Sequence, residues 1–275
     1  MRFINAMPEL PEIETVKNGI QNLVGKTISD IVVRNPNLRI PVTKNIKKLI
    51  TSQKILEIKR RAKYLIFVLE KGFLIVHLGM SGRITIVNPK TQVIPHDHVD
   101  LVFNDLVLRY NDPRRFGLFV YSENYNEEPF IQSLGVEPLE SEFTPKYLFE
   151  QLNSRQSTIK QSIMNNDIVV GVGNIYASEA LFLAKISPLR KSNTLKMSEV
   201  TNLVKSIKYV LTLAIEHGGS SLRDYVNASG ELGYFQTIHN VYGRSGEKCT
   251  KCKKHKIIEV RLGQRNSFYC PSCQV

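Results

Sequence analysis

The sequence lacks any long hydrophobic run and any spread of cysteines. No stretch of about eighteen consecutive apolar residues occurs, which is the length that a membrane-spanning helix requires. Residues 1–6 also lack the apolar centre of a secretory signal. We therefore expect a soluble cytoplasmic protein without a membrane contact. All four cysteines lie in the last 27 residues, which excludes a chain-wide disulfide framework and favours a metal site.

Acidic residues are outnumbered by basic ones. The 275 residues include 25 Asp and Glu against 37 Lys and Arg, a formal net charge of +12. An excess of this size suits a polyanionic partner such as nucleic acid. A general lysine-rich composition gives the same charge, so the motifs must decide between the two explanations.

The first half of the chain carries one helix followed by short β-branched runs. After Pro11 the apolar residues recur at helical spacing, and Gly25 follows the end of the pattern. Many short strands then predict a β-sandwich or barrel. The strands are predicted at 28–33, 55–58, 64–69, 73–78, 84–87, 99–103 and 106–110, with a tight turn at Asn104-Asp105 between the last two.

The pattern changes near residue 130. Residues 122–129 are polar and 134–138 are rich in turn formers, as an interdomain linker would be. The chain is thus predicted to be an α+β protein with more than one domain, the second mostly helical. Helices are predicted at 146–152, 159–164, 175–184 and 197–216.

The cysteines form two pairs with the spacing of a metal knuckle. Cys249-x-x-Cys252 is followed, after seventeen residues, by Cys270-x-x-Cys273. Four thiolates favour one tetrahedral zinc ion, and because they fill its coordination sphere the zinc is predicted to be structural. Two strand-like runs, at 257–262 and 267–269, flank the turn at 263–264, so a β-hairpin would bring the pairs together.

The region around these cysteines is strongly basic. Residues 244–273 include eight basic and two acidic residues. Their net positive charge is half of the net charge of the whole chain. A hairpin with that charge favours the binding of phosphate groups. Arg265, at or just past the predicted turn, is the candidate for a backbone phosphate contact. The alternative is a solvated arginine at a turn.

The N-terminal segment 7–12 allows two interpretations. In one, Pro8 and Pro11 only stiffen the approach to the first helix. In the other, translation starts at Met7 and the initiator is removed before the small residue Pro8, which leaves a free secondary amine. Such an amine can attack the anomeric carbon of a sugar and form an iminium, with Glu9 beside it to move protons. Inside a peptide the same nitrogen is a tertiary amide and inert.

Ordered motifs along nearly the whole chain resemble a single family. They are Met-Pro-Glu-Leu-Pro-Glu at 7–12, Arg-Arg-Ala-Lys-Tyr at 60–64, His-Leu-Gly-Met-Ser-Gly at 77–82, His-Asp-His-Val-Asp at 96–100, Asp-Pro-Arg-Arg-Phe-Gly at 112–117, Gly-Val-Gly-Asn-Ile-Tyr-Ala-Ser-Glu at 171–179 and Gly-Tyr-Phe-Gln at 233–236. With the cysteine module, they resemble formamidopyrimidine-DNA glycosylase, a family of bacterial base-excision repair.

The resemblance implies three domains and a DNA partner. The N-terminal β-sandwich would span 8–130, a helix-two-turn-helix domain 131–236 and the zinc finger 237–275, with double-stranded DNA in a basic cleft. The implied activity is that of a bifunctional glycosylase and AP lyase. It would remove oxidised purines, 8-oxoguanine and formamidopyrimidines, and cut the strand by β,δ-elimination. We expect a monomer that works at the nucleoid.

The resemblance also implies catalytic roles for four residues. Pro8 would displace the damaged base through a Schiff base, and Glu9 would donate the proton for base loss. Lys63 would be the proton donor for β-elimination and Arg265 for δ-elimination. Without the motif, Lys63 would be assigned as a solvated lysine beside a strand.

Further residues are implied to hold DNA. His96, Arg114 and Arg155 would contact it, while His77 and Asn174 resemble phosphate ligands near the lesion. An apolar wedge with a guanidinium would fill the hole left by the extruded nucleotide. That trio is Met80, Arg114 and Phe116, of which Met80 and Phe116 would otherwise be assigned to the core. The loop 218–225 resembles the one that closes over the flipped base.

Two departures from the family pattern and three alternatives remain open. Val136 replaces a proline usual in the linker, and six residues precede Met7; we expect these six to be an upstream misassignment. An endonuclease VIII-like enzyme for oxidised pyrimidines shares the fold, but Leu10 favours the purine branch. A DNA-binding relative with a blocked, inactive Pro8 is the second alternative. A ribosomal or transcriptional zinc-ribbon protein is the third, and the β-rich N-terminal domain speaks against it.

Overall fold

The structure is a computed structural model that describes residues 8–220 and 239–275. The described residues form two compact units. The N-terminal unit consists of residues 8–132 with 218–220, and the C-terminal unit of 133–217 with 239–275. The chain passes from one unit to the other between Gln132 and Ser133.

The N-terminal unit is a sandwich of two antiparallel four-stranded sheets. One sheet has the order β1-β6-β7-β5 and the other the order β2-β3-β4-β8. The predicted sandwich is therefore confirmed. The strands are β1 (Asp30–Val33), β2 (Ile55–Arg61), β3 (Tyr64–Leu69), β4 (Phe73–His77), β5 (Arg83–Val87), β6 (Asp97–Val102), β7 (Val107–Asn111) and β8 (Leu118–Ser122).

The main core of this unit lies where the inner faces of the two sheets meet. Phe67 and Leu101 are both completely buried there, one from each sheet. Helix α1 (Leu10–Gly19) adds Ile13 and Val16 to the same cluster, so the segment before the sheets is fixed by apolar burial. That packing determines where the N-terminal end of α1 lies relative to the sandwich.

The C-terminal unit begins with helices. They are α4 (Pro145–Asn153), α5 (Ile159–Ile163), α6 (Asn174–Leu183) and α7 (Met197–Glu216). Turns at 164–173 connect α5 to α6, and α6 is buried around most of its circumference. The period of apolar residues along α7 predicts its bounds without error, because the helix is long and one face of it is buried.

A two-stranded hairpin closes the chain. Strand β9 (Ile258–Leu262) pairs in antiparallel register with β10 (Arg265–Tyr269), and the tight turn between them is Gly263-Gln264. Gly263 has a φ of +59°, a conformation that favours glycine. The predicted hairpin is confirmed, although β10 begins two residues earlier than expected.

Three elements are absent from the sequence prediction: β8, helix α2 (Ile46–Ile50) and helix α3 (Pro129–Gln132). The polar segment after β8 is also more ordered than a linker, since Tyr125–Glu127 forms a 3-10 turn and Phe130 stacks on Tyr64 at 5.4 Å between ring centroids. None of the helices in the described ranges has both the length and the apolar content needed to span a bilayer.

Candidate functional site

The N-terminal end of α1 places Pro8 and Glu9 together. Both are buried, and Glu9 is the residue immediately before the first helical turn. The backbone N–H of Glu9 donates to the Glu12 carboxylate at 2.9 Å, so Glu12 caps the start of the helix. This bond fixes the backbone on which Pro8 and Glu9 lie.

Glu12 lies beside Pro8 and Glu9, although the sequence motifs do not mark it as a site residue. It is completely buried, and its second carboxylate oxygen accepts from the N–H of Ser220 at 2.7 Å. A Cβ on Gly219 would lie 2.9 Å from that same oxygen. Glu12 therefore binds the first residues of the loop 218–225, while the rest of that loop and the motif at 233–236 lie outside the described residues. Its partner is more than 200 positions away, so no local pattern could reveal the contact.

Lys63 occupies the tight turn between β2 and β3. Ala62 beside it has a φ of +52°, and Lys63 itself is half-buried. Arg60 stabilises the turn, because its guanidinium donates to the Ala62 carbonyl at 3.0 Å and to the Glu14 carboxylate of α1 at 2.6 Å. Burial alone would raise the pKa of Glu14, but hydrogen bonds from Lys17 and Arg60 lower it. The ionised Glu14 thus connects α1 to the turn that carries Lys63.

His77 lies at the end of β4 with its charge state fixed by its surroundings. Burial, followed by the positive charges of Lys63 and Arg39, lowers the pKa of His77 to about 3. The ring is therefore neutral at physiological pH. Its Nδ1 accepts from the N–H of Gly79 at 2.9 Å, which leaves the proton on Nε2. A neutral ring in this tautomer can donate one hydrogen bond to a phosphate oxygen.

Two loops, 77–82 and 112–117, lie directly against each other. Gly79 has a φ of +65°, and a Cβ there would come within 2.5 Å of the Phe116 backbone. Gly117 is equally crowded, since a Cβ there would lie 1.9 Å from the Tyr110 hydroxyl oxygen. The two glycines allow this backbone approach, which places the residues of both loops side by side.

Asp112 holds the second loop in shape. It is completely buried and accepts from the hydroxyl of Ser81 at 2.7 Å and from that of Tyr110 at 3.0 Å. The same carboxylate accepts from the backbone N–H of Arg114 and from that of Gly117. One anion therefore joins both loops, which is a role that the motif does not reveal by itself.

The three residues predicted to form the wedge lie on these two loops. Met80 is half-buried, whereas Arg114 and Phe116 are exposed. The Arg114 guanidinium lies 4.7 Å from the centre of the Phe116 ring, in a cation–π contact. Phe116 is 45% exposed, so the interpretation of this residue as core is wrong. An exposed aromatic ring on a rigid loop, backed by a guanidinium, has the form of a wedge for a base stack.

His96 lies on the connection between β5 and β6. Its side chain is exposed, and its φ of +73° is unusual for a residue with a side chain. Its carbonyl accepts from the backbone N–H of Asp112 at 3.0 Å, so His96 is attached to the loop that carries Arg114. The N-terminal unit thus brings together the predicted residues at 77, 80, 96, 114 and 116.

In the C-terminal unit, Asn174 is the first residue of α6 and is nearly buried. Its Oδ1 accepts from Lys160 at 2.7 Å, and its Nδ2 donates to the Asn266 carbonyl at 3.0 Å. Lys160, itself only 1% exposed, also donates to the Ser267 hydroxyl at 2.8 Å. Lys160 is a further residue that the sequence analysis missed, because its partners lie up to 107 positions away.

Arg265 and Arg155 occupy separate places on this unit. Arg265 is exposed at the hairpin turn and lines an open depression of about 200 Å³ with residues of α5 and the turn, among them Lys160 and Gln161. Arg155 follows α4 and is half-buried, and its Nε donates to the Gln151 carbonyl at 3.0 Å. The two arginines are thus carried by different parts of the unit.

The four cysteines converge as the spacing predicts. Their Sγ atoms all lie within 4.8 Å of one another. Cys249 and Cys273 are 3.9 Å apart, and Cys252 and Cys270 are 3.8 Å apart, measured between sulfurs. A tetrahedron with Zn–S bonds of about 2.3 Å has S–S edges of about 3.8 Å. The sulfurs are too far apart for disulfides, whose bond is about 2.05 Å, and they fit a zinc ion.

The segment that leads into the zinc-finger hairpin is anchored to α6. The buried carboxylate of Glu179 accepts from three successive backbone N–H groups, those of residues 240, 241 and 242, at 2.8 to 2.9 Å. At the other end, Gln274 accepts from the N–H of Cys270 and donates to the Ile186 carbonyl, both at 2.9 Å. The cysteine module is therefore attached to α6 and to the residues that follow it.

Models of known families match three parts of the chain. Residues 7–119 match the formamidopyrimidine-DNA glycosylase N-terminal domain, and 134–226 match the H2TH domain of the same family. Residues 246–275 match a zinc finger found in FPG and IleRS.

Whole-chain relatives agree with this division. A formamidopyrimidine-DNA glycosylase of Yersinia enterocolitica is 49% identical over 98% of this chain and 100% of its own length, and one of Aliivibrio fischeri is 48% identical over 98% of each. Lactococcus lactis Fpg in complex with abasic-site DNA has a TM-score of 0.90 at 36% identity, over 97% of this chain and 99% of its own. The same enzyme with oxidised-pyrimidine DNA has a TM-score of 0.89 at 35% identity, over the same shares. With matches over nearly its whole length, this chain belongs to the formamidopyrimidine-DNA glycosylase family of DNA repair glycosylases.

Proposed function

We propose that this chain is a bifunctional DNA glycosylase and AP lyase that removes oxidised purines. The observation that carries the proposal is the pair Pro8 and Glu9, held together in a buried position at the capped start of α1. The family membership supplies the DNA glycosylase, and this pair supplies the lyase chemistry. A nucleophilic amine and a carboxyl group are what a Schiff-base route needs.

The first half of the reaction replaces the base by the amine. The Pro8 nitrogen forms a bond to C1′ of the damaged nucleotide, and the bond from C1′ to the base breaks. The electron pair of that bond leaves with the base, which Glu9 protonates. The C1′–O4′ bond then breaks, the amine proton passes to O4′ as a hydroxyl, and an iminium forms between Pro8 and C1′.

The second half cuts the strand on both sides. Loss of a C2′ proton from the iminium expels the 3′ phosphate, and a second elimination expels the 5′ phosphate. We propose Lys63 as the proton donor in the first elimination and Arg265 in the second. The turn that carries Lys63 is fixed by Arg60, and Arg265 is exposed at a hairpin turn. Water then hydrolyses the iminium and restores the amine.

This chemistry requires Pro8 to be the first residue. A proline nitrogen inside a peptide carries no free electron pair for attack. We therefore propose that translation starts at Met7 and that Met7 is removed. The intact mass of the protein from its native host tests this directly: a mass that begins at Pro8 supports the proposal, and a mass that includes residues 1–7 contradicts it.

Excision assays with two forms of the chain test the activity. The form that begins at Pro8 is expected to release 8-oxoguanine from a duplex and to leave a one-nucleotide gap with phosphates at both ends. A form that retains residues 1–7 is the control, because it keeps every residue from Pro8 onward but joins the Pro8 nitrogen in a peptide bond. Equal activity of both forms would show that Pro8 is not the nucleophile. An intact lesion with both forms would favour the inactive DNA-binding alternative.

The substrate class is identified by comparing the activity on oxidised purines with the activity on oxidised pyrimidines. The Lactococcus lactis relative has been captured with a Fapy-dG duplex as well as with an oxidised pyrimidine. Binding of an oxidised pyrimidine therefore does not by itself identify an endonuclease VIII-like enzyme. We expect kcat/KM to be higher for 8-oxoguanine and formamidopyrimidine than for oxidised pyrimidines in matched duplexes. The reverse order would favour the pyrimidine alternative.

We also propose one structural zinc ion, held by the four cysteines. The separations between their sulfurs fit its tetrahedral radius. When bound, the zinc supplies a cross-link that holds the knuckle together. We expect one zinc per chain by elemental analysis, and removal by a strong chelator should lower DNA affinity. A metal-free protein with unaltered DNA affinity would overturn this assignment.

A further inference from the structure

The connection between β5 and β6, residues 88–96, is exposed but fixed in shape. Val93 and Ile94 are about half exposed at its surface, and His96 ends it with a φ of +73°. A non-glycine residue in that conformation is strained, and it persists when the surroundings hold it there. The contacts that hold this loop come from the neighbouring strands β6 and β7.

Arg109 on β7 makes the most extensive of these contacts. One nitrogen of its guanidinium, Nη1, donates to the carbonyl of Thr91 at 3.3 Å and to that of Gln92 at 3.1 Å. Asn111, on the same face of β7, donates to the Pro95 carbonyl at 3.0 Å. Three carbonyls of one short exposed loop are thus bound by two side chains of a buried strand.

Carboxylates of β6 complete the support. Asp97 accepts from the N–H of Ile94 at 2.8 Å and from Asn111 at 2.8 Å. Asp100 accepts from the other two nitrogens of the Arg109 guanidinium, each at 3.0 Å, which fixes the plane of that group. The orientation of Arg109 is therefore set by Asp100, and its remaining nitrogen is aimed at the loop.

Stability alone does not account for this arrangement. The Arg109 side chain is only 7% exposed and that of Asp100 only 4%, and a buried ion pair contributes little net stability because both charges must be desolvated. Its effect is geometric: the pair fixes a loop that has no apolar anchor at Val93 or Ile94. That loop ends at His96, whose carbonyl is bound by the N–H of Asp112.

We propose that Arg109 is a positioning residue for DNA binding. It holds the loop 88–96 so that the His96 ring stands in place to contact the DNA backbone before DNA arrives. Pre-ordering removes an entropic cost that a flexible loop would add on binding. This inference rests on the role of His96 in the proposed function, and it adds the group that keeps His96 in its strained conformation.

Arg34 provides the matched control. It also pairs with Asp100, at 2.6 Å, but among the described contacts it donates nothing to residues 88–95 through its side chain. The variants Arg109→Lys and Arg34→Lys each keep one positive charge beside Asp100. A lysine at position 109 has no planar fork to reach Asp100 and the two carbonyls together. Arg109 is also the more buried of the two and lies 3.5 Å from Asp97, so the free energy of unfolding is measured for both variants and affinities are compared only where each is folded.

The test is a double-mutant cycle between positions 109 and 96, read as the Kd for a lesion duplex. Arg109→Lys is expected to weaken binding about tenfold, which corresponds to about 1.4 kcal/mol, and Arg34→Lys less than about twofold. In the His96→Ala background Arg109→Lys should have no further effect, since the residue to be positioned is gone. The excision rate at saturating enzyme should fall far less than the affinity.

Two results would overturn the inference: an equal loss of affinity in the His96→Ala background, or an equal loss with Arg34→Lys. If Arg109→Lys does not fold, Asn111→Ala replaces it in the cycle, because it removes the bond to Pro95 without touching the Arg109–Asp100 pair. The proposed function is tested apart from this, by excision with the parent chain. If the unsubstituted chain does not excise the lesion but the double-mutant cycle is non-additive, the proposed function is contradicted and the inference about Arg109 is supported.

Discussion

At the scale of single residues, Gly79 and Gly117 allow two loops to lie closer together than side chains would permit. Their neighbours within 2.5 Å of an added Cβ are backbone atoms and, for Gly117, the buried Tyr110 hydroxyl. These neighbours have little freedom to move. The positions of Met80, Arg114 and Phe116 therefore depend on the absence of a side chain at these two glycines.

A comparison of Gly79→Ala with Gly25→Ala separates the effect of the close packing at Gly79 from the effect of backbone strain. Gly25 is the matched control, because its φ of +86° resembles the +65° of Gly79 but nothing lies within 4 Å of an added Cβ. Both Ala variants should lose about 1–2 kcal/mol of unfolding free energy for the left-handed conformation. Only Gly79→Ala is expected to lose DNA affinity as well, as measured by fluorescence anisotropy. Unchanged affinity in Gly79→Ala would contradict the account of the two loops.

The neutral state of His77 has a consequence for pH dependence. Since its pKa in the folded protein is lowered to about 3, the unfolded chain binds a proton near pH 6.5 that the folded chain rejects. This residue therefore contributes full stability above about pH 6.5, and the contribution falls as the pH drops toward 3. NMR of the ring should show no titration between pH 8 and pH 5. A midpoint near 6.5 would contradict the assignment.

The residues that could be predicted from sequence are those whose chemistry is local. The cysteine spacing alone predicts the cluster that the structure shows. The position of Pro8 next to Glu9 predicts a nucleophile with a proton donor, and this stays a prediction. Glu12 and Lys160 could not be predicted in this way. Their partners, Ser220 and Ser267, are 208 and 107 positions distant, and only the fold brings them together.

At the scale of elements, Lys160 joins α5 to α6 and to the zinc-finger hairpin. Its ammonium group is buried among the Asn174 amide, the Ser267 hydroxyl and the Asn266 carbonyl. Lysine is rarely buried without such partners, because desolvation of the charge is costly. The hairpin that carries Arg265 is thus held by Lys160 of a five-residue helix together with Asn174 of α6.

Lys160→Met should weaken this connection. The variant retains most of the side-chain volume but leaves Asn174 and Ser267 without their donor, at a cost of about 1–3 kcal/mol for each buried group. Faster hydrogen exchange in β10 would report the loosened hairpin, together with a lower free energy of unfolding. Lys146→Met, at an exposed position of α4, is the control and should change neither. Unaltered exchange in β10 would show that the hairpin is held by other contacts.

Elements with a clear period could be predicted, and short or fully buried ones could not. Strand β8 is apolar at nearly every position and buried on both faces, so it lacks the alternation that marks a strand with one solvent face. Helices α2 and α3 have five and four residues, too few for a helical period. The turn at Asn104-Asp105 was predictable, because two-residue turns have their own residue preferences.

At the scale of the whole molecule, charge is unevenly distributed along the chain. Residues 248–256 include five exposed lysines and no acidic residue. A zinc ion with four thiolates carries about two negative charges, which two of the lysines can offset. The remaining three positive charges are available for a DNA backbone.

The salt dependence of DNA binding tests this distribution. The double variant Lys253→Gln/Lys254→Gln should lower the slope of log Kd against log salt by about 0.9 for each phosphate that the variant no longer neutralises. The control Lys146→Gln/Lys205→Gln removes the same charge from exposed positions on α4 and α7. It should leave the slope unchanged. Equal slopes for the two variants would mean that the lysines serve only the zinc centre.

The central claim is that the nitrogen of Pro8 forms a covalent bond to the damaged nucleotide. Borohydride added during the reaction should trap the iminium as a stable amine between protein and DNA. Mass spectrometry of the digested product then locates the bond. We expect an adduct on the N-terminal peptide that begins at Pro8. An adduct on a lysine such as Lys63, or no adduct with the lesion left intact, would contradict it.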